Sequence, residues 1–142
     1  MSEAKLKEWI IGRIRHQDLF TKKLKDINDS DEERILVDYI DKKSLVLIMP
    51  DLDIEKLLKN RKAEKDFSNV ELITLNKKKN LSYLIKNWDE FSKISSLKIF
   101  FVNPRQDHSN FWIINPAVHN MITEKKALRP GLNSLFSSVE EV

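Results

Sequence analysis

Apolar residues recur at three- and four-residue steps through residues 3–27: Leu6, Trp9, Ile10, Ile14, Leu24 and Ile27, with Leu19 and Phe20 between. That period predicts one amphipathic helix. Ser2 is its N-cap candidate, and Gly12 weakens it by about 1 kcal/mol relative to Ala. Residues 28–33 are polar and read as a loop. Two apolar runs, 35–40 and 45–49, flank Asp41-Lys42-Lys43-Ser44 and predict a hairpin. Leu45-Val46-Leu47-Ile48-Met49 is apolar without alternation, the mark of a strand buried on both faces.

Beyond Pro50 the pattern switches period repeatedly. Ile54, Leu57 and Leu58 form a short helical stripe that Asp51 or Asp53 can cap. Residues 70–75 read as a strand. Leu81, Leu84, Ile85, Trp88 and Phe91 give the most regular helical stripe, with Asn76 or Asn80 as its cap. Residues 97–102 and 111–115 read as further strands. Residues 117–126 form a helix, and Leu128, Leu132, Leu135, Phe136 and Val139 mark another, with Pro130 tolerated in its first turn. The tail Glu140-Glu141-Val142 is expected to fray.

These elements predict a single α/β domain over 1–142, a mixed five-stranded sheet with helices on both faces. Residues 45–102 run β-α-β-α-β, so the central strands are parallel with right-handed crossovers. Strands 35–40 and 111–115 are antiparallel additions. The hairpin favours the order 35–45–70–97–111. Both crossover helices then share one face, and the first and last helices cover the other.

Composition narrows the chemistry. The 142 residues include no cysteine, which excludes a disulfide framework, a thiolate nucleophile and Cys-ligated zinc. Two glycines exclude a Gly-rich phosphate loop. The acidic N-terminus lacks the apolar core of a secretory signal, and no apolar run approaches the ~20 residues of a membrane span. A cytoplasmic protein without a membrane partner is expected. With 25 Lys and Arg against 22 Asp and Glu, the net charge is +3, which permits contact with nucleic acid without demanding it.

In open parallel sheets, ligands bind beyond the carboxyl ends of the strands. That rule nominates three loops, 50–53, 76–80 and 103–108. Lys77, Lys78, Lys79 and Arg105 would form an anion-binding rim there, with nucleic acid backbone as its partner. Asp51-x-Asp53 after an apolar strand resembles the acid pair of haloacid-dehalogenase-like phosphatases, although Glu55 stands where those carry Thr or Val. Pro50-Asp51 followed by Glu71-Leu72-Ile73 resembles in part the restriction-endonuclease-like nucleases, with Ile73 in place of their lysine. Both resemblances imply Mg²⁺, held by Asp51, Asp53 and Glu71, and phosphoester cleavage. Helix capping by Asp51 or Asp53 is the plainer reading.

His108, between Asp107 and Ser109, is the candidate general base. His16 and His119 match no zinc spacing. Trp9 and Trp88 belong to apolar stripes and hence to the core. Phe111 and Trp112 lie on an expected edge strand and offer an interaction edge for a protein partner or a second copy of the chain. The sequence therefore supports a binding module first, a self-associating or protein-interaction subunit second, and a magnesium-dependent phosphoesterase third.

Overall fold

A computed structural model describes residues 3–63, 66–67, 69–105 and 110–142. Ser2 and residues 106–109, which include His108, lie outside the described residues. The elements run α1 (Glu3–Thr21), β1 (Leu24–Asn28), β2 (Arg34–Tyr39), β3 (Lys43–Ile48), α2 (Ile54–Ala63), β4 (Asn69–Leu75), α3 (Lys78–Lys86), α4 (Trp88–Ser92), β5 (Leu97–Val102), β6 (Phe111–Ile114), α5 (Pro116–Ile122) and α6 (Lys125–Ser137). The fold is mixed α/β, and its sheet has six strands in the order β1-β2-β3-β4-β5-β6. β3, β4 and β5 are parallel, and the other pairings are antiparallel.

The sixth strand comes from the end of the expected first helix. Leu24 and Ile27 fit a helical period, yet α1 stops at Thr21. Lys22 takes a left-handed conformation (φ 53°), and its N–H closes on the Asp18 carbonyl at 2.9 Å. Asp18 Oδ1 then accepts the N–H groups of Lys23 and Leu24, both at 2.8 Å. A non-glycine residue in that conformation costs about 1–2 kcal/mol, and the Asp18 bonds offset it. The chain turns back, and residues 24–28 pair with β2.

The longest helical stripe is likewise broken in two, at Asn87, whose Nδ2 donates to the Tyr83 carbonyl. α6 starts at Lys125, so Pro130 sits inside it rather than in its first turn. There it removes one intrahelical hydrogen bond.

Two apolar layers enclose the sheet. On one side α1 is the one helix among the described residues, with Leu6, Trp9, Ile10 and Ile14 against Ile35, Val37, Val46, Ile48, Ile73, Phe100 and Val102. On the other side α2, α3, α4 and α6 cover Leu45, Leu47, Leu72, Leu97, Ile99, Phe101 and Trp112. The last helix therefore lies with the crossover helices and not opposite them. Its Leu132 and Phe136 complete the larger core around Trp112 and Ile114. Among the described residues no helix is long and apolar enough to cross a membrane.

Candidate functional site

The parallel strands bring residues 50–53, 76–80 and 103–105 to one rim, as the β-α-β-α-β order requires. That rim is closed by asparagines. Asn80 is buried; its Nδ2 donates to Pro50 O (2.8 Å), Leu75 O (2.9 Å) and Thr74 Oγ1 (3.0 Å), and its Oδ1 accepts the Leu52 N–H (3.0 Å). Asn76 is fully buried; its Oδ1 accepts from Trp112 Nε1 at 2.8 Å. Its Nδ2 donates to the carbonyls of Phe136 (3.3 Å), Val139 (3.0 Å) and Glu140 (3.3 Å). Asn103 Nδ2 also reaches Glu140 O, at 3.1 Å. Neither Asn76 nor Asn80 caps α3; its N-cap is Lys77, without a side-chain cap.

The tail expected to fray is docked across this rim. Val139 is buried, the Val142 N–H donates to Asn76 O at 3.0 Å, and Glu141 Oε1 accepts the Lys78 N–H at 3.4 Å. The chain's own carboxylate thus meets the amino end of α3, where the helix dipole favours negative charge.

Two of the four rim cations face an acid. Lys77 Nζ lies 2.6 Å from Asp51 Oδ1 and Lys79 Nζ 3.6 Å from it. The Lys77 hydrogen bond holds the Asp51 carboxyl below its usual range against the opposing effect of burial. Arg105 stands exposed at the end of β5, its N–H on Asn103 Oδ1.

The three acids nominated for magnesium are not together. Asp53 caps α2, its Oδ1 accepting the N–H groups of Glu55 (3.1 Å) and Lys56 (3.3 Å). Glu71 is in register with Val46, within β3, and lines the groove under α1, whereas Asp51 follows the end of β3. Among the described residues no group of three His, Cys, Asp or Glu is placed to hold a metal. His16 packs edge-on to Phe20, and His119 to Trp88.

Glu71 instead lies in a groove of about 530 Å³ beneath the carboxyl half of α1, whose lining includes Arg13, Tyr39, Lys42, Lys98 and Phe100. Lys98 is its direct register partner on β5. Glu71 is largely buried, and burial raises its carboxyl above the ordinary range, opposed by the charges of Lys98, Lys42 and Arg13. Burial first, then Glu71 and Asp18, pushes the Tyr39 phenol up to about 12. The Arg13 guanidinium lies 4.3 Å over the Phe111 ring, and burial lowers its pKa. The sequence pointed to Glu71 but not to this company. Its signal was there: Glu71 and Lys98 are each the second residue of Val70-Glu-Leu and Leu97-Lys-Ile, single charges inside apolar strands.

On β6 the two aromatic side chains nominated for contact turn inward. Trp112 is buried and stacks on Phe101 at 4.1 Å. Phe111 is half-buried, 5.9 Å from Phe100 and 5.4 Å from Trp9. The exposed β6 side chain is Ile113, at 37%. The following helix α5 exposes Val118, Met121 and Ile122, a stripe at helical spacing in which Met121 is 84% exposed. Comparison of the chain with protein-family models, with curated proteins and with solved structures gives no match.

Proposed function

We propose that this chain is a binding module that associates with a second copy of itself across β6. The observation that carries the reading is the difference between the two edge strands. β1 (Leu-Lys-Asp-Ile-Asn) exposes Lys25 and Asp26 and has an irregular register between Leu24 and Asp26. Charges and bulges of that kind block further strand pairing. β6 (Phe-Trp-Ile-Ile) carries no charge, and among the described residues its backbone ladder is with β5 alone.

Exposed apolar residues flank β6 on both faces of the sheet. Ile113 and Phe20 border the groove under α1, and the α5 stripe lies on the side of α4, against which α5 packs. A two-fold axis normal to the sheet would pair β6 with its copy antiparallel. The same axis sets α5 beside its copy on one face and Ile113 beside its copy on the other. Four residues of strand alone are too short for a stable interface of about 1,200 Å² or more, and the helix stripe supplies the remainder. A protein partner is favoured over nucleic acid because the rim lysines Lys77 and Lys79 already face Asp51.

Sedimentation velocity over a range of concentrations tests the reading. The expected result is a dimer whose dissociation constant rises about tenfold or more in Met121→Lys and in Ile113→Lys, equivalent to about 1.4 kcal/mol each. Both positions are exposed, so the fold should survive. A strict monomer at high concentration, or a dimer indifferent to both substitutions, rejects it.

A further inference from the structure

Seven charged groups in the groove under α1 sort into two kinds. Lys23 is paired with Asp41 at 3.2 Å, and Asp18 spends its carboxylate on the N–H groups of Lys23 and Leu24. These hold the α1–β1 turn. Arg13, Lys42 and Lys98 have no ion pair among the described residues, and Glu71 has neither hydrogen bond nor ion pair among them. Two pairs along the β3–β4 ladder, on the same face, Ser44 buries a hydroxyl with no hydrogen-bond partner among the described residues.

We propose that this groove is a binding site for a small molecule bearing a phosphate monoester, held by Arg13, Lys42 and Lys98 around Glu71. Three observations select that chemistry. The unpaired cations outnumber the unpaired acid three to one, so the site attracts an anion. A phosphate monoester offers three acceptor oxygens and close to two negative charges at neutral pH, which suits three separate cationic donors better than a carboxylate does. The Arg13 guanidinium carbon lies over Phe111, 4.3 Å from the ring centroid, and 5.7 Å from that of Phe100. A guanidinium held over an aromatic ring and free of an ion pair has N–H donors left for an oxyanion.

Glu71 supplies the polar floor. Burial raises its carboxyl against the opposing charges of Lys98, Lys42 and Arg13, so it stands as the one acid among three cations in the groove lining. Tyr39 and Phe100 supply apolar wall, and a volume of about 530 Å³ falls in the range of small-molecule sites. The phosphate is thus expected to carry an organic group that rests on the rings.

Titration of ¹⁵N-labelled protein with phenyl phosphate, inorganic phosphate, benzoate and a single-stranded oligonucleotide tests the assignment. Phenyl phosphate should bind tightest and move the amide signals of Lys42, Lys98 and Phe100. Lys42 and Lys98 are exposed, so Lys42→Gln/Lys98→Gln should fold normally and weaken phenyl phosphate at least about thirtyfold, the scale of one or two charge-assisted hydrogen bonds. Glu71→Gln, which removes the acid and leaves the three cations, should bind phenyl phosphate no more than about threefold more weakly than the parent. No binding of phenyl phosphate at millimolar concentration and low salt overturns the proposal. So does binding that ignores the double substitution. Benzoate binding as tightly as phenyl phosphate overturns the choice of phosphate, and oligonucleotide binding at these residues without phenyl phosphate binding overturns the choice of a small ligand.

Discussion

At the carboxyl ends of β3, β4 and β5, Asn76 and Asn103 bond to residues 139–142, and Asn80 bonds to residues 50–52 and 74–75. Toward the amino ends of β4 and β5, Glu71 and Lys98 face a groove and bond to nothing described. The rule that ligands gather beyond the carboxyl ends of parallel strands presumes loops that leave donors free. Here the donors are spent on the chain itself, and the unspent chemistry lies at the opposite end, under α1. A rim with the right topology is therefore not by itself a site; what decides is which polar groups remain unsatisfied.

The sharpest way to break this contrast is Asn76→Ala. It removes the acceptor of Trp112 Nε1 and the donor to three carbonyls in a fully buried position. Orphaned buried groups cost about 1–3 kcal/mol each, and partial rehydration at the tail recovers some of that. The expected loss is about 3–4 kcal/mol in urea denaturation, with faster amide exchange at Val142. A loss under about 1 kcal/mol would show that the rim is not held by its asparagines.

Glu71→Gln probes the other end, with a smaller effect of opposite sign. The folded-state pKa of Glu71 is raised, chiefly by burial. Its ionised form is therefore penalised by folding. That penalty is absent below the ordinary glutamate value near 4.3, grows as pH rises, and is complete above the raised folded value. Gln should raise the melting temperature by a few degrees at pH 7 and leave it nearly unchanged at pH 4. A gain equal at both values, or a loss at pH 7, would mean that the cations around Glu71 outweigh its burial.

The sheet was legible where periodicity had no competitor. The hairpin and the β-α-β-α-β core follow from apolar runs and their turns, whereas the strand order stayed open in the sequence, with the hairpin only favouring the order found. β1 was not, because Leu24 and Ile27 fit the period of α1 and only Asp18 and Lys22 divert the chain. The face chosen by α6 was equally closed to reading, since its stripe fits either side of the sheet. At the site, Asn76, Asn80 and Asn103 look like ordinary turn residues until the tail is placed on them. Glu71 was visible as a charge in an apolar strand. Its neighbour Lys98 is 27 positions away in sequence and becomes adjacent only through strand register.

The smallest effect is expected at Asp51→Asn, and its size tests whether charge contributes to closing the rim. Asp51 is more than half exposed and faces Lys77 and Lys79. Exposed pairs contribute about 0–1 kcal/mol, less in high salt. The Asp51 pKa is lowered in the folded state, first by the Lys77 hydrogen bond. Its contribution is therefore present above the unfolded aspartate value near 3.9 and is lost as pH falls through the lower folded value. Parent and Asp51→Asn should differ by at most about 1 kcal/mol at pH 7 in low salt, and converge both at 1 M salt and in strong acid. If instead Asp51→Asn costs as much as Asn76→Ala and salt does not reduce the loss, the rim depends on its ion pairs. Lys77 would then be structural, and the contrast between a hydrogen-bonded rim and a charged groove would fail.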